Sequence, residues 1–197
     1  MDLDKTDALI VTDVQNDFCP GGSLGVPEGD RIAARMTEVA KSFQDRGARI
    51  FATQDWHPTG HSSFQEQDGP WPIHCVQGSH GADFHPNLHL PEGTVVIRKG
   101  SDPKVDAYSG FLDSDLDQRL KEAGVRRLFV GGIATEYCVL NTVLDAIKNG
   151  FEAVVLEDVS AAINVNPGDE KAAYARMREA GATVTTSSEV LGAPVRG

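Results

Sequence analysis

The sequence is poor in cysteine, with three Cys among 197 residues. So small and odd a number predicts no disulfide framework and favours a reducing compartment. Residues 1–5 lack the basic segment and apolar core of a secretory signal peptide. No apolar run approaches the length that spans a membrane. We therefore expect a cytoplasmic protein that does not insert into membranes.

Basic residues are also scarce. The chain has 18 Lys and Arg against 29 Asp and Glu, a net charge of −11. This excess of negative charge argues against nucleic acid or an anionic membrane surface as a partner. The hydrophobic content of 40% and the length of 197 residues are those of one globular domain, residues 1–197, with a sizeable core. The sequence leaves open whether the chain forms a homo-oligomer.

Short apolar runs alternate with helical patterns along most of the chain. The apolar runs lie at residues 8–14, 49–53, 95–97, 127–130, 153–156 and 183–185. Apolar residues recur at helical spacing over residues 32–43, 116–123, 139–149 and 172–180. The last helix is expected to begin at Asn166-Pro167, a cap residue followed by a first-turn proline. The alternation predicts an α/β fold with three layers, in which a six-stranded, mainly parallel sheet carries helices on both faces.

Residues 55–93 depart from this alternation. They contain five prolines, show no helical pattern and form a connection far longer than an ordinary loop. Long irregular connections in compact domains are usually functional. All six histidines of the chain lie in this segment: His57, His61, His74, His80, His85 and His89. Histidines with only structural roles would not cluster in this way, so the segment is predicted to contribute to a site.

Polar residues stand at or just after the ends of four predicted strands. Asp13 ends the first strand, Asp55 follows the second, Lys99 the third and Cys138 the fourth. Parallel α/β sheets bind ligands beyond the carboxyl ends of their strands. These four side chains, far apart in sequence, are therefore expected to converge.

Cys138 follows a glycine pair and opens a predicted helix. With Thr135 as the N-cap, Cys138 would lie in the first helical turn, where the dipole lowers a thiol's pKa and favours the thiolate. Its alternative role is that of a small buried apolar residue. Asp13 is either a general base or a carboxylate that only caps the loop. Lys99 is either a cation that adjusts the proton affinities of Asp13 and Cys138 or an ordinary surface lysine. The set of three at successive strand ends favours the catalytic roles.

Asp55, His57, His61 and His74 form a group of metal-ligand residue types. A carboxylate with imidazoles suits Zn, Fe or Mn. We predict one divalent metal ion, with Zn favoured over Fe or Mn, and Asp55, His57 and His74 as its ligands. His61 is either a fourth ligand or a neighbour that holds a metal-bound water. The remaining histidines, like Cys19 and Cys75, are expected to be structural. The glycine-rich segments match no nucleotide-binding motif.

Several motifs together resemble the nicotinamidase (pyrazinamidase) branch of the isochorismatase-like cysteine hydrolases. They are DVQNDFCPGGSL at 13–24, DWHP at 55–58, WPIHCV at 71–76, DAYSGF at 106–111 and GIATEYCV at 132–139. The resemblance covers most of the chain. It implies an isochorismatase-like fold and a small aromatic amide as the substrate.

The resemblance also implies roles for individual residues. Cys138 would be the nucleophile, Asp13 the general base and Lys99 the third member of the triad. A cis peptide bond at Ile133–Ala134 would direct the N–H groups of Ala134 and Cys138 at a developing oxyanion. The metal ligands would be Asp55, His57 and His74, with a role for His61 that varies within the family. The substrate ring would be contacted by Phe18, Trp71, Tyr108 and Ile133.

The implied reaction is hydrolysis of nicotinamide to nicotinate and ammonia through a Cys138 thioester, with pyrazinamide accepted as an analogue. Two other classes of protein share these features. One is a metallohydrolase in which metal-bound hydroxide attacks and Cys138 is structural. The other is a non-catalytic binding protein on the same fold, which would have no need of the full Asp13, Lys99 and Cys138 set.

Overall fold

The computed structural model describes residues 1–192 and is organised around a single six-stranded sheet. Its strands are β1 (Asp7–Thr12), β2 (Arg49–Asp55), β3 (Val95–Lys99), β4 (Arg127–Ile133), β5 (Glu152–Ala161) and β6 (Thr183–Thr185). Their order across the sheet is β3-β2-β1-β4-β5-β6, and every neighbouring pair is parallel. The predicted six-stranded sheet is therefore confirmed. Residues 193–197, the end of the predicted single domain, lie outside the described residues.

Within residues 1–192, five α-helices cover the two faces of the sheet. They are α1 (Gly29–Gln44), α2 (Leu116–Glu122), α3 (Leu140–Lys148), α4 (Asp169–Glu179) and α5 (Ser187–Leu191). One hydrophobic cluster joins Leu9 and Val11 of β1 to α1 and α5, and a second joins Ala8 and Ile10 to α2, α3 and α4. Because alternate residues of a strand point to opposite faces, the wholly buried β1 contributes to both cores. The three-layer α/β architecture is confirmed.

Two helix starts differ from the predictions. α4 begins at Asp169 rather than at Asn166-Pro167, because the Asn166 N–H donates to Oδ2 of Asp169 in a turn that precedes the helix. α5 was not predicted, although Thr186 and Glu189 form the reciprocal hydrogen bonds of a capping box. That spacing is a sequence signal for a helix start.

The chain between β4 and α3 is a π-helical turn, Thr135–Val139. The predicted N-cap role of Thr135 is wrong. Ala134 occupies the cap position, and its carbonyl accepts from the N–H groups of both Tyr137 and Val139 at 3.1 Å. π-helical turns are rare and often occur at functional sites. Here the turn carries Cys138.

The connecting segment 56–94 joins the neighbouring strands β2 and β3. Its regular structure is limited to 3₁₀ turns at Gln65–Gln67 and His80–Ala82 and to isolated β-bridges. Two of these bridges lie within the segment, and one joins Phe84 to Gln15. The expectation of a long segment without α-helix is confirmed. No helix among residues 1–192 is both long and apolar enough to cross a membrane.

Candidate active site

The carboxyl edge of the sheet brings the four predicted strand-end residues together. Asp55 and Lys99 are the last residues of β2 and β3 and pair with each other in the sheet register. Asp13 follows β1, and Cys138 lies in the π-helical turn after β4. All four are buried. The convergence expected from the parallel topology is present.

Gly132 permits the close approach of β1 and β4 at this edge. Its φ is 130°, and a Cβ placed on it would lie 2.1 Å from the carbonyl oxygen of Thr12. Only glycine fits such a position without displacing the neighbouring backbone. The glycine pair before Cys138 therefore sets the distance between the strand ends that carry Asp13 and Cys138.

Lys99 lies at the centre of the buried polar group. Its Nζ is 2.9 Å from Oδ2 of Asp13 and 2.5 Å from Oδ1 of Asp55, donates to the Ala107 carbonyl at 2.9 Å, and lies 3.7 Å from Sγ of Cys138. Burial alone would lower the pKa of this ammonium, but the two carboxylates outweigh burial and raise the pKa well above its ordinary value. Lys99 is therefore a permanent buried cation.

Asp13 is held by Thr53. The Thr53 hydroxyl donates to Oδ1 of Asp13 at 2.6 Å and accepts from the Asp13 N–H at 3.2 Å. These bonds support a backbone φ of 47°, which is uncommon for a residue other than glycine. Burial raises the pKa of the Asp13 carboxyl, although Lys99 and Thr53 partly oppose this. The result is a carboxylate with increased proton affinity in a fixed orientation.

The Cys138 thiol does not have the lowered pKa predicted from its position in the chain. Burial raises its pKa well above 9.0, the Lys99 charge opposes this, and Asp13 and Asp55 raise it further. The prediction failed because a helix dipole is a smaller effect than complete burial next to two carboxylates. Its sulfur and carboxylate oxygens of Asp13 and Asp55 lie within 4.8 Å of one another. Cys138 is therefore a neutral thiol with a proton acceptor close by.

Asp55, His57 and His74 form a compact group of buried metal-ligand side chains, with one donor atom from each within 4.8 Å of the others. Nδ1 of His57 is hydrogen-bonded to the Gly100 carbonyl oxygen at 3.0 Å, and Nδ1 of His74 to the Pro72 carbonyl oxygen at 2.8 Å. Nε2 of each ring is thereby left available to a ligand, and Nε2 of His57 lies 3.5 Å from Oδ2 of Asp55. One carboxylate and two imidazoles oriented by backbone carbonyls fit a divalent metal ion.

Two local features fit these histidines for metal binding. Burial lowers the pKa of His74, which keeps the imidazole in the neutral form that binds metals. Gly100 has a φ of 67°, and a Cβ there would lie 2.5 Å from Cε1 of His57. The absence of a side chain at Gly100 thus leaves room for the His57 ring.

His61 does not join the group of three. Its Nδ1 lies 2.7 Å from the Ser63 hydroxyl and its Nε2 lies 3.0 Å from the Val105 carbonyl oxygen. Its ring centroid is 4.1 Å from that of His57. Because both nitrogens have protein partners, this placement favours a supporting role over direct ligation. His80 and His89 are exposed and His85 is half-buried, outside this group.

Aromatic side chains form the walls of a pocket above Cys138. Phe18, Trp71 and Tyr108 line it as expected, and the indole N–H of Trp71 donates to the Tyr108 hydroxyl at 2.8 Å. Burial raises the pKa of Tyr108 well above its ordinary value, so its hydroxyl stays neutral. Ala134 lines the pocket next to Cys138, and the Ile133–Ala134 peptide bond is cis.

The pocket differs from the predictions at several positions. The side chain of Ile133, expected to contact a substrate, is fully buried in the core on the α1 side and does not line the pocket. The sequence did not predict five lining residues: Leu24, Asp106, Ala107, Tyr137 and Ile163. Tyr137 packs edge-on against Trp71 at 5.1 Å. Tyr137 directly precedes Cys138, and this position in the sequence is a signal that could have predicted its contact with the pocket. Nothing in the sequence near Ile163 indicates a site.

The fold and this site define the class of protein. The Isochorismatase domain matches residues 7–189, and the chain belongs to the isochorismatase family. The nicotinamidase of Escherichia coli K12 is 40% identical over 203 residues, covering 92% of this chain and 95% of that one.

Two solved structures are similar over nearly the whole chain. The pyrazinamidase of Pyrococcus horikoshii, in complex with zinc, superimposes with a TM-score of 0.88 at 48% identity, covering 92% of this chain and 99% of that one. A protein of L. infantum in complex with nicotinate superimposes with a TM-score of 0.88 at 42% identity, covering 95% and 96%.

Proposed function

We propose that this protein is a nicotinamidase, which hydrolyses nicotinamide to nicotinate and ammonia and accepts pyrazinamide. The observation that carries the proposal is the position of the Cys138 sulfur, with Asp13 and Lys99 beside it at the base of an aromatic pocket. The relatives support the choice of substrate, since one is a nicotinamidase and another was solved with nicotinate.

The buried carboxylate and cation suit acyl transfer to sulfur. Asp13 takes the proton of the Cys138 thiol, and Lys99 compensates the negative charge that develops on the sulfur. The sulfur attacks the carboxamide carbon, and the backbone N–H groups of Ala134 and Cys138 stabilise the oxyanion. The C–N bond then breaks, Asp13 returns its proton to the leaving nitrogen, and ammonia departs. Asp13 next accepts a proton from water, whose oxygen attacks the thioester carbon. The C–S bond then breaks, Asp13 returns this proton to the Cys138 sulfur, and the acid leaves as nicotinate after losing its remaining proton to solvent.

Asp55, His57 and His74 are the proposed metal ligands, and His61 supports them through its contact with the His57 ring. When bound, a divalent ion supplies a Lewis-acid partner for a ring nitrogen. The zinc complex of the similar pyrazinamidase supports Zn over Fe or Mn. The aromatic side chains of Phe18, Trp71 and Tyr108 enclose the flat ring.

The proposed compartment is the cytoplasm. Its support is that Cys19, Cys75 and Cys138 are all free and buried. A thiol nucleophile requires the reduced state that this compartment maintains.

The test is release of ammonia from nicotinamide by the purified protein. Three samples are compared: untreated protein, protein alkylated at Cys138, and protein dialysed against a chelator. We expect turnover in the first, none in the second and a large reduction in the third. No turnover in untreated, metal-loaded protein would overturn the function. Turnover that survives complete alkylation of Cys138 would instead support attack by metal-bound hydroxide.

A further inference from the structure

Glu136 connects the turn that carries Cys138 to the loop 162–168. Oε1 of Glu136 accepts from the Asn164 N–H at 2.6 Å. Asn164 directly follows Ile163, which lines the pocket. One hydrogen bond therefore joins the turn that carries Cys138 to the loop that contributes Ile163 to the pocket lining.

The Glu136 carboxylate is held in a costly environment. The residue is half-buried, and its Oε2 is buried without a hydrogen-bond partner among the described residues. An under-partnered carboxylate that loses contact with water costs free energy. Its place at the start of a helical turn offsets part of that cost through the dipole. One carboxylate oxygen is thus withdrawn from solvent, while the other accepts the loop's N–H at the surface.

The far side of the loop 162–168 is anchored to α4. The Asn164 side-chain oxygen accepts from the Glu170 N–H at 3.1 Å, and the Asn166 N–H donates to Asp169 at 2.8 Å. Asn164 has a φ of 52°, in the left-handed region that asparagine tolerates. Glu136 therefore holds the end of the loop that contributes Ile163 to the pocket lining.

We propose that Glu136 is a positioning residue that holds Ile163 against the substrate ring and thereby sets how closely the pocket encloses it. The inference rests on the proposed function, since the ring is that of the aromatic amide. Glu136 acts on binding and not on bond cleavage, because its carboxylate faces the loop and not the reacting sulfur. It is distinct from the Asp13, Lys99 and Cys138 group.

The first test compares Glu136→Ala with Glu136→Gln. The alanine variant loses the acceptor, and we expect KM for nicotinamide to rise about tenfold, the factor that a hydrogen bond to a charged acceptor commonly contributes. We expect kcat to change less than about threefold, because the residue makes no interaction specific to the transition state. The glutamine variant keeps an acceptor oxygen and should stay near the wild type. Glu179→Ala, at an exposed glutamate of α4, is the control for loss of charge.

A double-mutant cycle tests whether Glu136 acts through Ile163. Ile163→Ala alone should raise KM, because it removes the apolar wall. Adding Glu136→Ala to it should have little further effect, since residues that act through one another are not additive. Additive increases in KM would overturn the proposal. A loss of kcat with unchanged KM in Glu136→Ala would overturn it as well.

The alkylation rate of Cys138 tests the proposal without any substrate. Iodoacetamide should modify Cys138 faster in Glu136→Ala than in the wild type or Glu136→Gln, because release of the loop opens the pocket. This result stands even if nicotinamide proves not to be the substrate, so failure of the function and failure of the inference remain distinguishable. Equal rates in folded Glu136→Ala, with folding checked by circular dichroism, would overturn the proposal.

Discussion

The ammonium nitrogen of Lys99 lies 3.7 Å from the sulfur of Cys138, and no part of the Lys99 side chain is exposed. The same nitrogen contacts Asp13 and Asp55. The proposed nucleophile, its proposed base and one proposed metal ligand thus share a single buried cation. A change at any of the four residues is expected to alter the electrostatics of the other three.

Replacing Cys138 with alanine should reduce turnover of nicotinamide below detection, because no other thiol adjoins the pocket. The free energy of unfolding should fall by only about 1–2 kcal/mol, since a small buried group is lost. Ammonia release and urea unfolding measure the two effects. Cys19→Ala removes a buried thiol that does not line the pocket and should keep activity. Substantial turnover in Cys138→Ala would contradict nucleophilic attack by sulfur.

Lys99→Met should destabilise the fold as well as abolish activity. It leaves the buried carboxylates of Asp13 and Asp55 without their cation, and removing one partner of a buried ion pair costs about 3–5 kcal/mol. Urea unfolding provides the measurement. The matched control is Lys121→Met, which breaks an exposed pair with Asp117 and should cost below about 0.5 kcal/mol. Equal losses in the two variants would show that the Lys99 network does not stabilise the fold.

The pH profile of kcat/KM should show its acidic limb above the ordinary aspartate pKa of 3.8. Asp13 must be ionised to accept the thiol proton, and burial raises its pKa, so activity is lost on the acid side at a higher pH than for an exposed aspartate. The pKa values of Cys138 and Lys99 are raised above 9.0 and 10.5, so activity should hold to about pH 9. A limb at or below pH 3.8, in protein shown to be folded, would exclude Asp13 as the base.

The sequence predicted the sheet and the convergence of the site because both depend on periodicity and topology. Parallel strands bring their carboxyl ends to one edge of the sheet. The grouping of Asp13, Lys99 and Cys138 could therefore be predicted without knowledge of any interatomic distance. The thiol pKa was mispredicted because it depends on burial and on neighbouring charges, which local sequence does not contain. Thr53 is a further example, since its role comes from a contact with a residue 40 positions away.

Metal content should distinguish the histidines. His57→Ala or His74→Ala removes one of three donors, so either variant should lose metal on dialysis. His61→Ala removes only a supporting ring, and we expect a loss of affinity of about 10–100-fold. Elemental analysis after dialysis at defined free-metal concentrations makes the comparison. His89→Ala, at an exposed histidine of the same segment, should retain the wild-type content. Absence of metal from freshly purified wild-type protein would contradict the assignment.

Benzamide should be hydrolysed far more slowly than nicotinamide. The two have the same shape, but benzamide lacks the ring nitrogen that a bound metal would engage. We expect kcat/KM to be at least roughly tenfold lower, because a buried polar partner is left unpaired. Pyrazinamide keeps a nitrogen at the required position and should remain a substrate. Similar kcat/KM values for benzamide and nicotinamide would reduce the assignment to a general amidase.

The connecting segment 56–94 contains no lysine or arginine, and trypsin therefore leaves it whole within the peptide 50–98. That peptide contains Cys75 together with all the proposed metal ligands. Cys19 falls in the peptide 6–31 and Cys138 in the peptide 128–148. Each thiol thus has its own proteolytic fragment, and mass spectrometry of a tryptic digest can assign every alkylation event to one cysteine.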